Sequence, residues 1–175
     1  LVFVILIFNP VYYFNFLLIG ASVINGQWWR LVTFLFIPIS MSPIFAAFSW
    51  YFYYLIGMAL EKEWGSFRYL IYILIVYAGT LLVAFIFPQH PLSNTYIYSS
   101  VFLAFAYLNP EFTLLIFFIL PIKIKWLALL TWIGICSTFI IAPVSEKFSA
   151  LVSVANFLLF FGEDIMTTFR LQAHH

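Results

Sequence analysis

The chain alternates long uncharged apolar runs with short breaks marked by proline or polar residues. Residues 31–60 and 127–142 carry no charge, and residues 67–87 carry only Arg68. About 20 apolar residues cross the hydrocarbon core of a bilayer, so these runs predict membrane-spanning helices. They are continuously apolar rather than alternating, which disfavours a β-barrel. Residues 1–8 stop at Asn9-Pro10 and are read as the end of a first helix that starts upstream. Residues 9–41 are aromatic and punctuated by asparagine, which suits a loop in the interface, where Tyr and Trp prefer to sit. One broken span over 1–24 is the alternative. The second span is expected over 42–60, its helix starting late because Pro38 and Pro43 belong to a first turn. Further spans follow at 67–87, 96–108, 126–142 and 148–168. Residues 112–120 are apolar but too short to cross, and read as a re-entrant or interfacial piece ending at Pro121.

Composition agrees with this pattern. The 175 residues are 66% hydrophobic and 7% charged, with a mean hydropathy of +1.11. A soluble domain carries roughly 25% charged residues, and so few charges would leave large apolar patches in water. The expected class is a single-domain, all-α, multi-pass membrane protein with the lipid bilayer as its first partner. A net charge of +1 without a basic patch excludes nucleic acid as a partner. The lone cysteine, Cys136, excludes an internal disulfide and a multi-cysteine metal site, and is expected to pack mid-helix as a small apolar residue. The 23 phenylalanines and 11 tyrosines invite a pigment or quinone site. Against that, His90 is the one histidine besides the terminal pair. Aromatic packing in lipid accounts for the rings, and no metal or cofactor is expected.

The basic residues set an orientation. With six crossings, Lys62, Arg68, Lys123, Lys125 and Arg170 share one side, and Arg30 and Lys147 the other. The positive-inside rule then places both termini in the cytoplasm.

Four motifs occur in order: Trp29-Arg30; Gly57…Leu60-Glu61…Trp64-Gly65…Arg68; Val101-Phe102…Asn109-Pro110; and Pro121-Ile122-Lys123-Ile124-Lys125-Trp126. Together they resemble the rhomboid superfamily of intramembrane serine proteases, over residues 26–162. The resemblance implies a six-helix bundle, its first helix incomplete here, in a bacterial inner membrane. It gives Trp29, Arg30, Gly57, Glu61 and Gly65 a structural part.

The resemblance also says where the chemistry belongs, and there the chain departs from it. In an active rhomboid a serine atop the fourth span is activated by a histidine from the sixth, because a serine is a weak nucleophile at its own pKa. An asparagine and a histidine from the second span help hold the oxyanion. Aligned on these motifs, the serine position is Tyr98 and the histidine position Ser153. The oxyanion asparagine becomes Ser49 and the histidine before it Phe45. All four groups are replaced together, so the resemblance implies a non-catalytic pseudoprotease that binds or scaffolds other transmembrane proteins, as derlins do. Two alternatives stand: an active protease with a displaced dyad of Ser99 or Ser100 with His90, and a structural subunit of a larger membrane complex. Ser153 and Asn156, three residues apart, share a face of the sixth span. They bond another helix or recognise a client. Glu61 and Arg68 are placed to tie the second and third spans together.

Overall fold

The computed structural model describes residues 12–40, 42–116 and 120–173, with residues 116, 120 and 163–173 described in backbone only. The expected helix end at 1–8 lies outside the described residues. Among the described residues three short helices come first: α1 (Tyr13–Phe16), α2 (Gly20–Ile24) and α3 (Arg30–Thr33), the last running into a 3-10 turn, Phe34–Phe36. Then come α4 (Pro43–Trp64), α5 (Ser66–Ile86), α6 (Thr95–Leu108), strands β1 (Thr113–Ile116) and β2 (Leu120–Lys123), α7 (Ile124–Ile141) and α8 (Val144–Ala173).

Among the described residues four helices are long and apolar enough to cross a membrane: α4, α5, α7 and residues Val144–Gly162 of α8. The protein is mostly helical, and its composition is that of an integral membrane protein. The shorter α6 is the centre. Its six consecutive residues from Val101 to Ala106 are all buried, as expected of a helix apolar all round. Helices α4, α5, α7 and α8 all pack on it; α5 also packs against α4 and α8, and α7 against α8. At 14 residues, α6 is about 21 Å long, short of a ~30 Å hydrocarbon core. Its ends are therefore recessed, and the loops that meet them dip into the bundle.

Sequence explains the breaks. Pro43 occupies the first turn of α4, where its missing N–H costs nothing. One residue, Gly65, separates α4 from α5, with φ 78° and ψ 156°. That region is essentially open only to glycine. Two further glycines serve close approach. A Cβ on Gly20 would lie 2.2 Å from the Ala84 carbonyl oxygen, and one on Gly79 would lie 2.4 Å from Val152 Cγ1. Helix α5 thus touches both the loop segment and α8 through glycine.

The aromatic contacts sort the two ends of the bundle. Trp64 stacks near Phe160 and Phe161, and Tyr107 lies 4.5 Å from Phe161. The α4–α5 turn, the end of α6 and the later part of α8 therefore share one end, together with Lys62, Arg68, Lys123 and Lys125. At the opposite end Tyr96 reaches Glu146 on α8, and Tyr98 reaches the 3-10 turn that follows Arg30.

Two expectations change, and one gains detail. The segment expected to be re-entrant or interfacial contributes β1, which pairs antiparallel with β2, Thr113 opposite Lys123 and Leu115 opposite Pro121. A short run rich in Thr, Leu, Ile and Phe suits a strand, and pairing satisfies backbone that lies near lipid. Cys136 is exposed rather than packed. Among the described residues the ion pairs join Glu111 to Lys123 and Lys125, so Glu61 and Arg68 do not pair. Ser66 donates instead to Glu61, and the Arg68 guanidinium lies 6.0 Å from the Trp64 ring and 5.9 Å from Phe160.

The Gly79–Val152 contact makes a quantitative prediction. Gly79→Ala should destabilise the bundle by about 1–3 kcal/mol through overpacking, read as a lower unfolding temperature in mild detergent. Val152→Ala added to it should cost less than the two single changes summed. Strict additivity would mean that the helices are not this close.

Candidate functional site

The recessed end of α6 is where the resemblance directs attention, and every polar group there has a bond to account for. The segment from residue 12 to 40 is a series of short helical turns, and several carbonyls at their ends need partners from elsewhere. Side chains supply them. The Arg30 guanidinium, only 5% exposed, donates from one nitrogen to the carbonyls of Phe14 (2.8 Å) and Leu17 (2.7 Å). Its Nε donates to Gln27 Oε1 at 2.6 Å. Burial draws this guanidinium below the ordinary arginine pKa, and it remains a cation at neutral pH. The neighbouring Trp29 is 54% exposed, and so is turned outward.

The far half of the loop is held from the helices. The Tyr77 hydroxyl of α5 donates to the Leu31 carbonyl at 2.9 Å. The Tyr98 hydroxyl of α6 donates to Leu35 at 2.8 Å, and Asn94 Nδ2 donates to Leu35 (3.1 Å) and Ile37 (2.9 Å). The segment around Leu18 pairs in both directions with Leu92, at 3.0 and 2.8 Å. Beneath the loop a recess of about 260 Å³ is lined by Tyr53, Asn94, Tyr98 and Ser99, among others. The Tyr53 and Tyr98 ring centroids are 4.4 Å apart in it.

Deeper in the bundle lies a second polar cluster. The Tyr72 hydroxyl of α5 donates to the Ser100 carbonyl at 2.8 Å and lies 2.8 Å from Ser100 Oγ. Asn156 Nδ2 of α8 donates to the Tyr72 carbonyl (3.2 Å) and to Ser100 Oγ (3.3 Å). Ser100 Oγ in turn reaches the Ser153 carbonyl at 3.3 Å. All four residues are buried. Three long helices are thus joined at one point by polar contacts, in a medium that offers no water as an alternative partner.

The residues singled out in the sequence are distributed as follows. Tyr98, at the serine position, bonds the loop. Ser153, at the histidine position, is buried in α8 with Asn156, facing α5 and α6 rather than lipid. Both are buried inside the bundle, where Asn156 Nδ2 is bonded and the Ser153 hydroxyl is not. Ser49 donates to the Phe45 carbonyl of its own helix at 2.8 Å, and Phe45 is 45% exposed. Ser100 is fully buried in the polar cluster, and Ser99 lines the recess. His90 is exposed, its ring edge-on to Phe87 at 6.2 Å. Among the described residues no hydrogen bond joins Ser99 or Ser100 to His90. Gly57 faces Tyr69, whose hydroxyl would lie 2.8 Å from a Cβ there. No group of three or more His, Cys, Asp or Glu among the described residues is arranged to hold a metal.

Sequence reasoning missed Tyr72, Tyr77 and Asn94. The first two carried a signal, because a tyrosine in the middle of an apolar span needs a partner for its hydroxyl. Asn94 sits in a polar loop, where nothing marks it out.

The chain was compared with known proteins, and no family model, curated protein or solved structure matches it.

The deep cluster contains an asymmetry that can be measured. Ser153 Oγ and Asn156 Oδ1 are buried without a partner. Tyr72→Phe should lower stability by about 1 kcal/mol through a lost hydrogen bond. Ser153→Ala should leave it unchanged or raise it by about 1 kcal/mol, since it removes an unpaired buried group. Detergent unfolding of the two variants checks both signs. A marked loss in Ser153→Ala would mean that its hydroxyl has a partner.

Proposed function

We propose that this protein is a rhomboid-like, non-catalytic membrane protein that binds or scaffolds other transmembrane proteins. The carrying observation is the Tyr98 hydroxyl, which donates to the Leu35 carbonyl from the position where the resemblance puts a nucleophile. A tyrosine engaged in this way offers no serine alkoxide. The other three replaced positions support the same reading, since Ser49 bonds its own helix, Ser153 is a buried hydroxyl rather than a base, and Phe45 has no polar group. The end bearing Lys62, Arg68, Lys123 and Lys125 faces the cytoplasm of a bacterial cell.

The lipid face of α7 is the favoured contact for a second helix. Gly20, Gly57 and Gly79 each meet an atom of their own bundle, whereas a Cβ on Gly134 would meet nothing within 4 Å. Gly134 and the exposed Ser137 lie on one face three residues apart. Small residues of this kind let membrane helices approach.

Two measurements test the reading on the full chain. A fluorophosphonate probe should not label the protein; labelling lost in Ser99→Ala or Ser100→Ala would establish a displaced serine protease instead. In mild detergent the protein should migrate as an assembly, and Gly134→Leu with Ser137→Leu should shift it to the monomer. Migration as a monomer before and after the change would remove α7 as the contact. Oxidation of the adjacent Cys136 gives a covalent dimer only if the partner is a second copy.

A further inference from the structure

A groove of about 440 Å³ runs along the membrane face between α6, α7 and α8, near the end of the bundle that bears the hairpin. Its floor is Ala106 and Phe157, both 4% exposed. Its walls are Tyr107 and Trp132, whose rings stand edge-on to Phe157 at 5.9 and 5.7 Å. From Lys125 to Trp132 it follows two turns of α7, about 10 Å, all of it within one leaflet of a ~30 Å core. At the interfacial end stands Lys125, next to the pairing site of the hairpin.

That end carries an uncompensated charge. Lys123 Nζ and Lys125 Nζ each lie 2.5 Å from a different oxygen of Glu111. The two ammonium groups hold the Glu111 carboxyl down at about 2, so the trio carries +1 at any physiological pH. All three side chains are 44–62% exposed. Exposed pairs of this kind are weak, and a lysine exchanges one for another anion at small cost. The groove is thus an apolar slot in the lipid phase with a cationic end at headgroup level.

We propose that this groove is a binding site for an anionic phospholipid, with one acyl chain against Phe157 between Tyr107 and Trp132, and the phosphate held by Lys125 and Lys123. Glu111 competes with the lipid for the same two lysines. This sets a sign for the test: removing the carboxylate strengthens binding at the groove, where Trp132 reports it. The site needs only insertion in a bilayer, so it stands or falls apart from the scaffold reading.

Trp132 supplies the probe. The full chain is placed in phosphatidylcholine vesicles, and phosphatidylglycerol or phosphatidylcholine with brominated chains is added in increasing amounts. The quenching that disappears in Trp132→Phe belongs to the groove. Brominated phosphatidylglycerol should act at several-fold lower mole fraction than brominated phosphatidylcholine, since each lysine near an anionic headgroup is worth roughly fivefold in affinity. Lys123→Ala with Lys125→Ala should abolish the preference, and Glu111→Gln should increase it. Equal quenching by the two lipids, an unchanged preference in the double lysine variant, or a weaker one in Glu111→Gln would each overturn the proposal.

Discussion

Irregular backbone inside a bilayer has no water to bond, so each of its carbonyls must find a donor within the protein. The loop before α4 is the place where this requirement presses hardest, and the recessed end of α6 is shaped by meeting it. Arg30 closes the carbonyls of Phe14 and Leu17, Tyr77 that of Leu31, and Tyr98 with Asn94 those of Leu35 and Ile37. A buried arginine would ordinarily be costly in such surroundings. Here three hydrogen bonds compensate the charge. Lysine could not replace it, because a point ammonium lacks the planar fork that reaches separate acceptors.

The central helix depends on that loop in turn. At 14 residues α6 cannot reach both membrane surfaces, so its ends need covers. The loop covers one end through Tyr98 and Asn94. The hairpin covers the other, where Ile124 N–H bonds the Phe112 carbonyl at 2.8 Å and Phe105 meets Phe112 edge-on. Between the covers, Tyr72, Ser100 and Asn156 fix how α5, α6 and α8 meet. Polar contacts between membrane helices average about 0.6 kcal/mol, so this cluster sets register more than it supplies stability. The aromatic stacks of Trp64, Tyr72, Tyr107 and Phe157–Phe161 fill the volume around it.

How much of this was readable in the chain depends on the length scale of the signal. Spanning helices announce themselves as uncharged runs, and their ends as proline or glycine, because both follow from one-dimensional rules of transfer and backbone sterics. Gly65 is the clearest case, since its φ of 78° and ψ of 156° restrict the position to glycine whatever surrounds it. The pairing of β1 with β2 is not legible in either segment alone, because pairing is a property of two segments. Cys136 was misplaced because a helix that is apolar all round gives no clue to which face meets lipid. Arg68 was assigned to Glu61 on charge alone, while the aromatic faces of Trp64 and Phe160 supplied the nearer partner. The partner of Tyr72 lies 28 residues away on another helix, so its need for a bond was visible but not its solution.

On the proposed non-catalytic reading, the loop and the absent chemistry are two sides of one constraint. A serine nucleophile must keep its hydroxyl pointed at a base and leave space beside it for a substrate carbonyl and the groups that stabilise its oxyanion. In this chain Ser99 lines the recess without a bond to His90, and the hydroxyls on either side of it are engaged. Tyr98 reaches up to the loop, and Ser100 reaches across to Tyr72 and Ser153. Freeing either would strand a carbonyl or hydroxyl in a dry interior, where an unmet group costs on the order of 1–3 kcal/mol. Restoring a catalytic serine at position 98 would therefore open more than it supplied: the Leu35 carbonyl would keep only Asn94, and the ring that packs on Tyr53 would be gone. The polar groups that close this bundle are the same ones that would have to be released to let a substrate in.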